Sequence, residues 1–182
     1  RKMEYAVVAT DLVMLVKRAV EAIGPSVQKK HIRITLDTPA PLPVMYLDED
    51  RIRQVLDNLL SNAVKFTPER GEIRVSTALR RDEKAEESWA EIRVSDSGVG
   101  VRPEETEQIF QKFYQSSLER RQASRGSGLG LAIARHIVEA HSGKIWVESR
   151  AGEGATFIVN LPIRREPENG LTREVRRQHR GE

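Results

Sequence analysis

A chain of 182 residues, 38% hydrophobic and 31% charged, carries enough material for one domain of ordinary size with its own core. It has no cysteine, which excludes disulfides and thiolate metal sites, and no apolar run approaching the roughly 18 residues of a membrane-spanning helix. The formal net charge is +3, and much of the basic excess lies in Arg120 to Arg125 and Arg164 to Arg180 with no nucleic-acid-binding motif beside it, so these stretches read as solvated segments.

Residues 1–9 read as a junction. Thr10 or Asp11 can cap a helix with Leu12, Leu15, Val16, Ala19, Val20 and Ile23 on its apolar side, and Gly24-Pro25 ends or kinks it. His31 to Asp37 alternates apolar and polar residues, as a half-buried strand does, and Thr38 to Pro43 is a loop that proline holds extended. The next helix, Asp50 to Thr67, organises the chain. Its Ile52, Val55, Leu56, Leu59, Leu60, Ala63 and Val64 recur at the steps of an amphipathic helix. Asp48, Glu49 and Asp50 suit the positive end of its dipole, and Pro68 blocks its continuation. Asn58 and Asn62 stand one above the other at the border of the apolar stripe, with Lys65 next in line. Asn is a poor helix former, so two in register ask for partners. A carboxamide oxygen can ligate a hard cation such as Mg²⁺ and an ammonium can meet a phosphate; equally, the pair can hydrogen-bond a neighbouring loop.

Glu72 to Leu79 and Trp89 to Ser95 alternate like strands, and the charged connector between them predicts an antiparallel pair. The second strand delivers Asp96-Ser-Gly-Val-Gly100. Asp followed by Gly98 and Gly100 makes a tight turn that a flat ligand can approach, and an ionised carboxylate selects an amino group such as that of adenine; an ordinary Asp-Gly turn is the other reading. Pro103 to about Phe113 reads as a short helix with Phe110 and Phe113 as core aromatics on one face. Tyr114 to Arg125 is polar, basic and without periodicity, as a loop over phosphates would be, and Arg120, Arg121 and Arg125 can reach a triphosphate. Gly126-Ser-Gly-Leu-Gly-Leu131 opens a helix from Leu129 to about His141. Glycines there bare backbone N–H groups at the positive end of the dipole, an anion site, and the spacing is neither the Walker pattern nor the dinucleotide fingerprint. His136 and His141 are five apart, which is not a ligand spacing. Lys144 to Ser149 and Ala155 to Leu161 are the last strands, and residues 164–182 read as a charged tail.

Together these motifs resemble the N box (Asn58, Asn62, Lys65, Phe66), G1 box (Asp96, Gly98, Gly100), F box (Phe110, Phe113) and G2 box (Gly126, Gly128, Gly130) of bacterial sensor histidine kinases, in that family's order. The family belongs to the wider group of gyrase, Hsp90 and MutL ATPases. The resemblance implies a Bergerat-type α/β fold, a two-layer sandwich of a mixed five-stranded sheet on three helices, spanning residues 10–163 with a nucleotide lid at about 101–127. It also implies that the first helix resumes toward Lys30. It places ATP and Mg²⁺ in the site: Asn62 and Asn58 on the metal, Lys65 on phosphate, Phe66 and Val101 along the nucleotide, and Asp96 on the adenine amine. It further assigns Arg125, Ser127, Leu129 and Leu131 to the phosphate side and brings the Thr156 hydroxyl near the phosphate pocket.

The reaction it implies is transfer of the γ-phosphoryl of ATP to a histidine on an upstream helical dimerisation domain of the same protein, followed by signalling to a cognate response regulator. The isolated chain would be monomeric, the full-length kinase a homodimer, and the setting cytoplasmic, with a membrane anchor possible elsewhere in the full-length protein. None of His31, His136, His141 or His179 has the sequence context of the phosphoacceptor. Other readings are a water-activating ATPase, for which Asn58 offers no base, an anti-sigma-type serine kinase, a non-catalytic nucleotide-binding scaffold, and a basic nucleic-acid binder, against which the confinement of basic charge argues.

Overall fold

The computed structural model describes residues 5–82, 87–115 and 127–163. Helix α1 (Leu12–Ala22) starts where the Asp11 carboxylate accepts the Met14 N–H, and Ile23 turns the chain into a short α2 (Gly24–Lys29) with Pro25 in its first turn, where proline's missing N–H costs nothing. Helix α3 (Glu49–Phe66) is capped in the same manner by Asp48 and ends as Thr67 goes extended before Pro68. It buries Ile52, Val55, Leu56, Leu59, Leu60 and Ala63. Each large one contributes about 1.5–3 kcal/mol relative to exposure, which outweighs the few tenths that each Asn costs a helix.

Five strands form the main sheet in the order β2 (Arg33–Asp37), β4 (Glu72–Asp82), β5 (Glu87–Asp96), β7 (Ala155–Pro162), β6 (Lys144–Ser149). Only β2 and β4 run parallel; the other pairs are antiparallel, so the sheet is mixed as expected. Val75, Val94 and Phe157 stand in register across three strands and pack under α1, α3 and α4 (Gly130–Ala140). This is the two-layer α/β arrangement, with the site at the end of the sheet where β5 stops and α4 begins. Among the described residues, no helix is long and apolar enough to cross a membrane.

Three features differ from expectation. Val7–Thr10 (β1) is a strand, paired antiparallel with Met45–Asp48 (β3) in a separate ribbon, so the folded unit begins within the stretch read as a junction. Residues 103–113 do not form one helix. Two 3₁₀ turns, Pro103–Glu105 and Gln108–Phe110, take its place, and the Thr106 hydroxyl donates to the Pro103 carbonyl, competing with helical pairing. In consequence Phe110 and Phe113 do not share a core face. Phe110 is buried against Phe157, whereas Gln111 goes extended, and Phe113 is left-handed at φ 64° and 73% exposed.

Candidate active site

A cavity of about 290 Å³ lies between α3, the end of β5 and the start of α4. The α3 wall presents Asn58, Ser61, Asn62, Lys65 and Phe66. Asn58 and Phe66 are roughly 12 Å apart along the helix at about 1.5 Å per residue, which sets the length of this wall.

At one end stands Asp96, the last residue of β5. It pairs with Ala155, so its side chain shares the inward parity of Val94 and Ile92 and enters the cavity from the sheet. Its Oδ1 accepts the Gly98 N–H at 2.8 Å. Burial pushes the carboxyl above the ordinary aspartate range, against the backbone hydrogen bonds of Gly98 and Ala155, which pull it down. Gly98 is needed for close approach: a Cβ there would sit 2.6 Å from the Phe66 carbonyl oxygen and 2.7 Å from Asp96 Oδ1. The turn is therefore packed directly on the end of α3.

At the other end, Gly128, Gly130 and Leu131 bring the N-terminus of α4 to the cavity. Gly128 is left-handed at φ 66°, and a Cβ would lie 2.7 Å from the Tyr114 carbonyl oxygen. The Phe113 N–H donates to the Gly128 carbonyl at 2.9 Å, which ties the two flanks of residues 116–126 together. Asn58 Nδ2 donates to the Gly130 carbonyl at 3.0 Å, joining α3 to α4. The hydrogen-bonding reading of this asparagine therefore holds, and the same residue also lines the cavity. Asn62 lies one turn further along the same face, and the Lys65 ammonium sits 4.8 Å from the centre of the Phe66 ring.

Eleven of the anticipated residues line the cavity: those named on α3 other than Ser61 and those at α4, with Asp96, Gly100, Val101 and Ser127. Gly98 stands behind Asp96, Leu129 at the cap position of α4, and Phe110 beneath the floor. Phe113 points outward. Arg125 and Gly126, with the rest of 116–126, lie outside the described residues. Thr156 is a correction. Because Ala155 faces inward, Thr156 faces the opposite side of the sheet, where its hydroxyl pairs with Ser95 at 2.9 Å.

Sequence reasoning missed Ser61, Val99, Ile109, Tyr114, Ala155 and Phe157 in the lining. Tyr114 opens an aperiodic segment in the sequence, yet its hydroxyl donates to the buried Glu105 carboxylate at 3.1 Å, which fixes the ring at the cavity wall. Ala155 and Phe157 follow from strand parity once Asp96 is placed.

The donor set suits a magnesium nucleotide. Among the described residues, no cluster of three His, Cys, Asp or Glu side chains could cage a metal on its own. Carboxamide oxygens leave room for a hard cation that takes most of its ligands from phosphates and water.

Comparison with known proteins agrees with this geometry. Residues 47–165 match the family described as Histidine kinase-, DNA gyrase B-, and HSP90-like ATPase. The chain is 40% identical over 158 residues to the adaptive-response sensory kinase SasA of Synechococcus sp. (strain JA-3-3Ab), covering 87% of this chain but only 40% of that protein. Among solved structures it resembles full-length ShkA in complex with AMPPNP, with a TM-score of 0.76 and 31% identity over 90% of this chain and 32% of that one. The catalytic domain of histidine kinase ThkA, 30% identical, superposes with a TM-score of 0.72 over 87% of this chain and 98% of that domain. ThkA has also been solved in complex with the response regulator TrrA, where the match is 29% identical with a TM-score of 0.69 over 87% of this chain and 42% of that one. The chain belongs to the histidine kinase, gyrase B and HSP90-like ATPase family, and within it to the ATP-binding catalytic domains of sensor histidine kinases.

Proposed function

We propose that this domain binds ATP with Mg²⁺ and directs the γ-phosphoryl group to a histidine on a separate helical domain of the same kinase, which then serves a response regulator in two-component signalling. The observation that carries the reading is one cavity with a carboxylate at one end, a helix N-terminus at the other, and two carboxamides and an ammonium along the α3 wall. Asp96 accepts the adenine amine. Phe66 and Val101 flank the base and sugar, and Lys65 meets phosphate. The Gly128 to Leu131 turn offers backbone N–H groups to phosphate oxygens. Mg²⁺, when bound, neutralises charge developing on the phosphates, and Asn62, with Asn58 beside it, supplies its protein oxygens. Phosphoryl transfer is mostly positioning and charge neutralisation, which these groups provide without a base.

A water-activating reading has less support, because Asn58 cannot take a proton and its amide already serves the Gly130 carbonyl. The acceptor lies on another domain: both ring nitrogens of His141 are engaged, with the Asp48 N–H and the Ile137 carbonyl, and His136 is exposed on α4. Residues 7–163 form the ATP-binding unit and the setting is cytoplasmic; the chain spans about 40% of the length of the SasA relative. A monomer in isolation and a homodimer at full length follow if the helical domain carries the dimer contact.

Calorimetry with ATP, with and without Mg²⁺, tests the reading. ATP should bind in preference to GTP, more tightly with Mg²⁺, and Asn62→Ala should remove the Mg²⁺-dependent gain alone. No ATP binding in either condition overturns the reading.

A further inference from the structure

The C-terminal end of α3 carries Lys65 and Phe66 into the cavity, and a helix end leaves its last carbonyls without partners in the helix. Here one side chain from a distant segment takes them. Lys30, half-buried at the end of α2, extends its ammonium to the Val64 carbonyl at 2.7 Å, the Lys65 carbonyl at 3.1 Å and the Thr67 carbonyl at 2.8 Å. An ammonium has three protons, so all three are used. Its positive charge also sits at the negative end of the helix dipole. The Thr67 N–H and hydroxyl both turn back to the Ala63 carbonyl, at 2.9 and 2.6 Å, and the Lys30 carbonyl accepts the Arg70 N–H at 3.0 Å. The end of α3 is thereby fixed from both sides of its chain.

The Phe66 carbonyl lies between the carbonyls that Lys30 holds, and it is the group against which Gly98 is packed, with no space for a Cβ. Gly98 in turn donates to Asp96 Oδ1. A continuous set of short contacts therefore runs from the Lys30 ammonium through the last turn of α3 to the carboxylate at the adenine end.

We propose that Lys30 is a positioning residue for the nucleotide site: it holds the end of α3 so that Phe66 and the Asp96–Gly98 turn meet the base in one fixed geometry. Lys30 touches no ligand itself and acts through backbone carbonyls. The inference rests on the ATP-binding reading above, and the unmutated protein separates the two, since failure of that protein to bind ATP overturns the reading itself.

The test compares Lys30→Met, Lys30→Arg and the unmutated protein for binding of adenosine and of ATP, well below each protein's unfolding temperature. Lys30→Met should weaken adenosine and ATP alike by about tenfold, the scale of a lost hydrogen bond to a charged group. It should keep the gain from Mg²⁺, and hydrogen exchange should quicken at residues 64–67 and 96–98 rather than throughout. Lys30→Arg, which keeps charge and donors, should recover much of the loss. If Lys30→Met is less heat-stable yet binds adenosine and ATP as tightly as the unmutated protein, Lys30 only stabilises the fold and the proposal is wrong. Should Lys30→Met fail to fold, unchanged affinity in both Lys30→Arg and Lys30→Gln overturns it equally.

Discussion

The two ends of α3 solve the same electrostatic problem in opposite ways and to different purpose. At the N-terminus a buried carboxylate does the work. Asp48 Oδ1 accepts the Arg51 N–H at 3.0 Å, and Oδ2 accepts the Ala6 N–H at 2.8 Å. The Asp48 N–H donates to His141 Nε2 at 3.0 Å, so that ring is protonated on Nδ1, which donates to the Ile137 carbonyl. That knot ties β1, α3 and the end of α4 together about 15 Å from Asn58 along the helix. At the C-terminus a cation does the work, on carbonyls that flank the Phe66 carbonyl, and that carbonyl abuts the turn carrying Asp96. Disturbing the first end should be felt in stability, and disturbing the second in affinity.

The largest effect should come from the C-terminal side. Asp96→Ala leaves the adenine amine without its acceptor, at about 1.5–3 kcal/mol, or roughly ten- to a hundred-fold in ATP affinity. The discrimination against GTP should disappear with it. Titration of both nucleotides into this variant checks the point; equal losses for ATP and GTP would remove Asp96 from base recognition.

The contrast between the ends was only half legible in the sequence. Local chemistry could be read, because Asp48 precedes an amphipathic run and Asp96 precedes Gly98 and Gly100 in one short turn. The Lys30 contact could not, since it joins residues 34 to 37 positions apart and a lysine after a short helix looks like solvated surface. Thr156 was misplaced because only the Asp96 to Ala155 register fixes which side of β7 faces the cavity. Strand β1 escaped notice because Val8 and Ala9 stay exposed, and a four-residue ribbon leaves no alternation to detect. Residues 103–113 have the composition of a helix, but the Thr106 hydroxyl and the left-handed Phe113 break it, and neither choice is encoded by periodicity.

A middle-sized effect should appear at the other end. Asp48→Ala removes an N-cap and the acceptor of the Ala6 N–H, and cap substitutions of this kind cost about 0.5–2 kcal/mol. Denaturant unfolding should show that loss, with ATP affinity of the folded protein unchanged. A matching fall in affinity would mean that the two ends of α3 are coupled through the helix.

The smallest effect concerns protons, and it separates stability from binding at one residue. Burial raises the Asp96 carboxyl in the folded protein above its ordinary value near 3.9. Between that value and the raised one, the folded state holds a proton more readily than the unfolded chain. Linkage then makes stability fall as pH rises through this window, because the ionised carboxylate must be kept in a half-buried place. Binding has the opposite sign. The adenine amine donates, so it favours the ionised acceptor, and ATP affinity should rise with pH over the same window. Asp96→Asn keeps the shape and loses the titration, so the ratio of its ATP affinity to that of the unmutated protein cancels protonation of the nucleotide itself. That ratio should change with pH in the acid range and level off above it. A ratio independent of pH would show that Asp96 does not meet the base as a carboxylate.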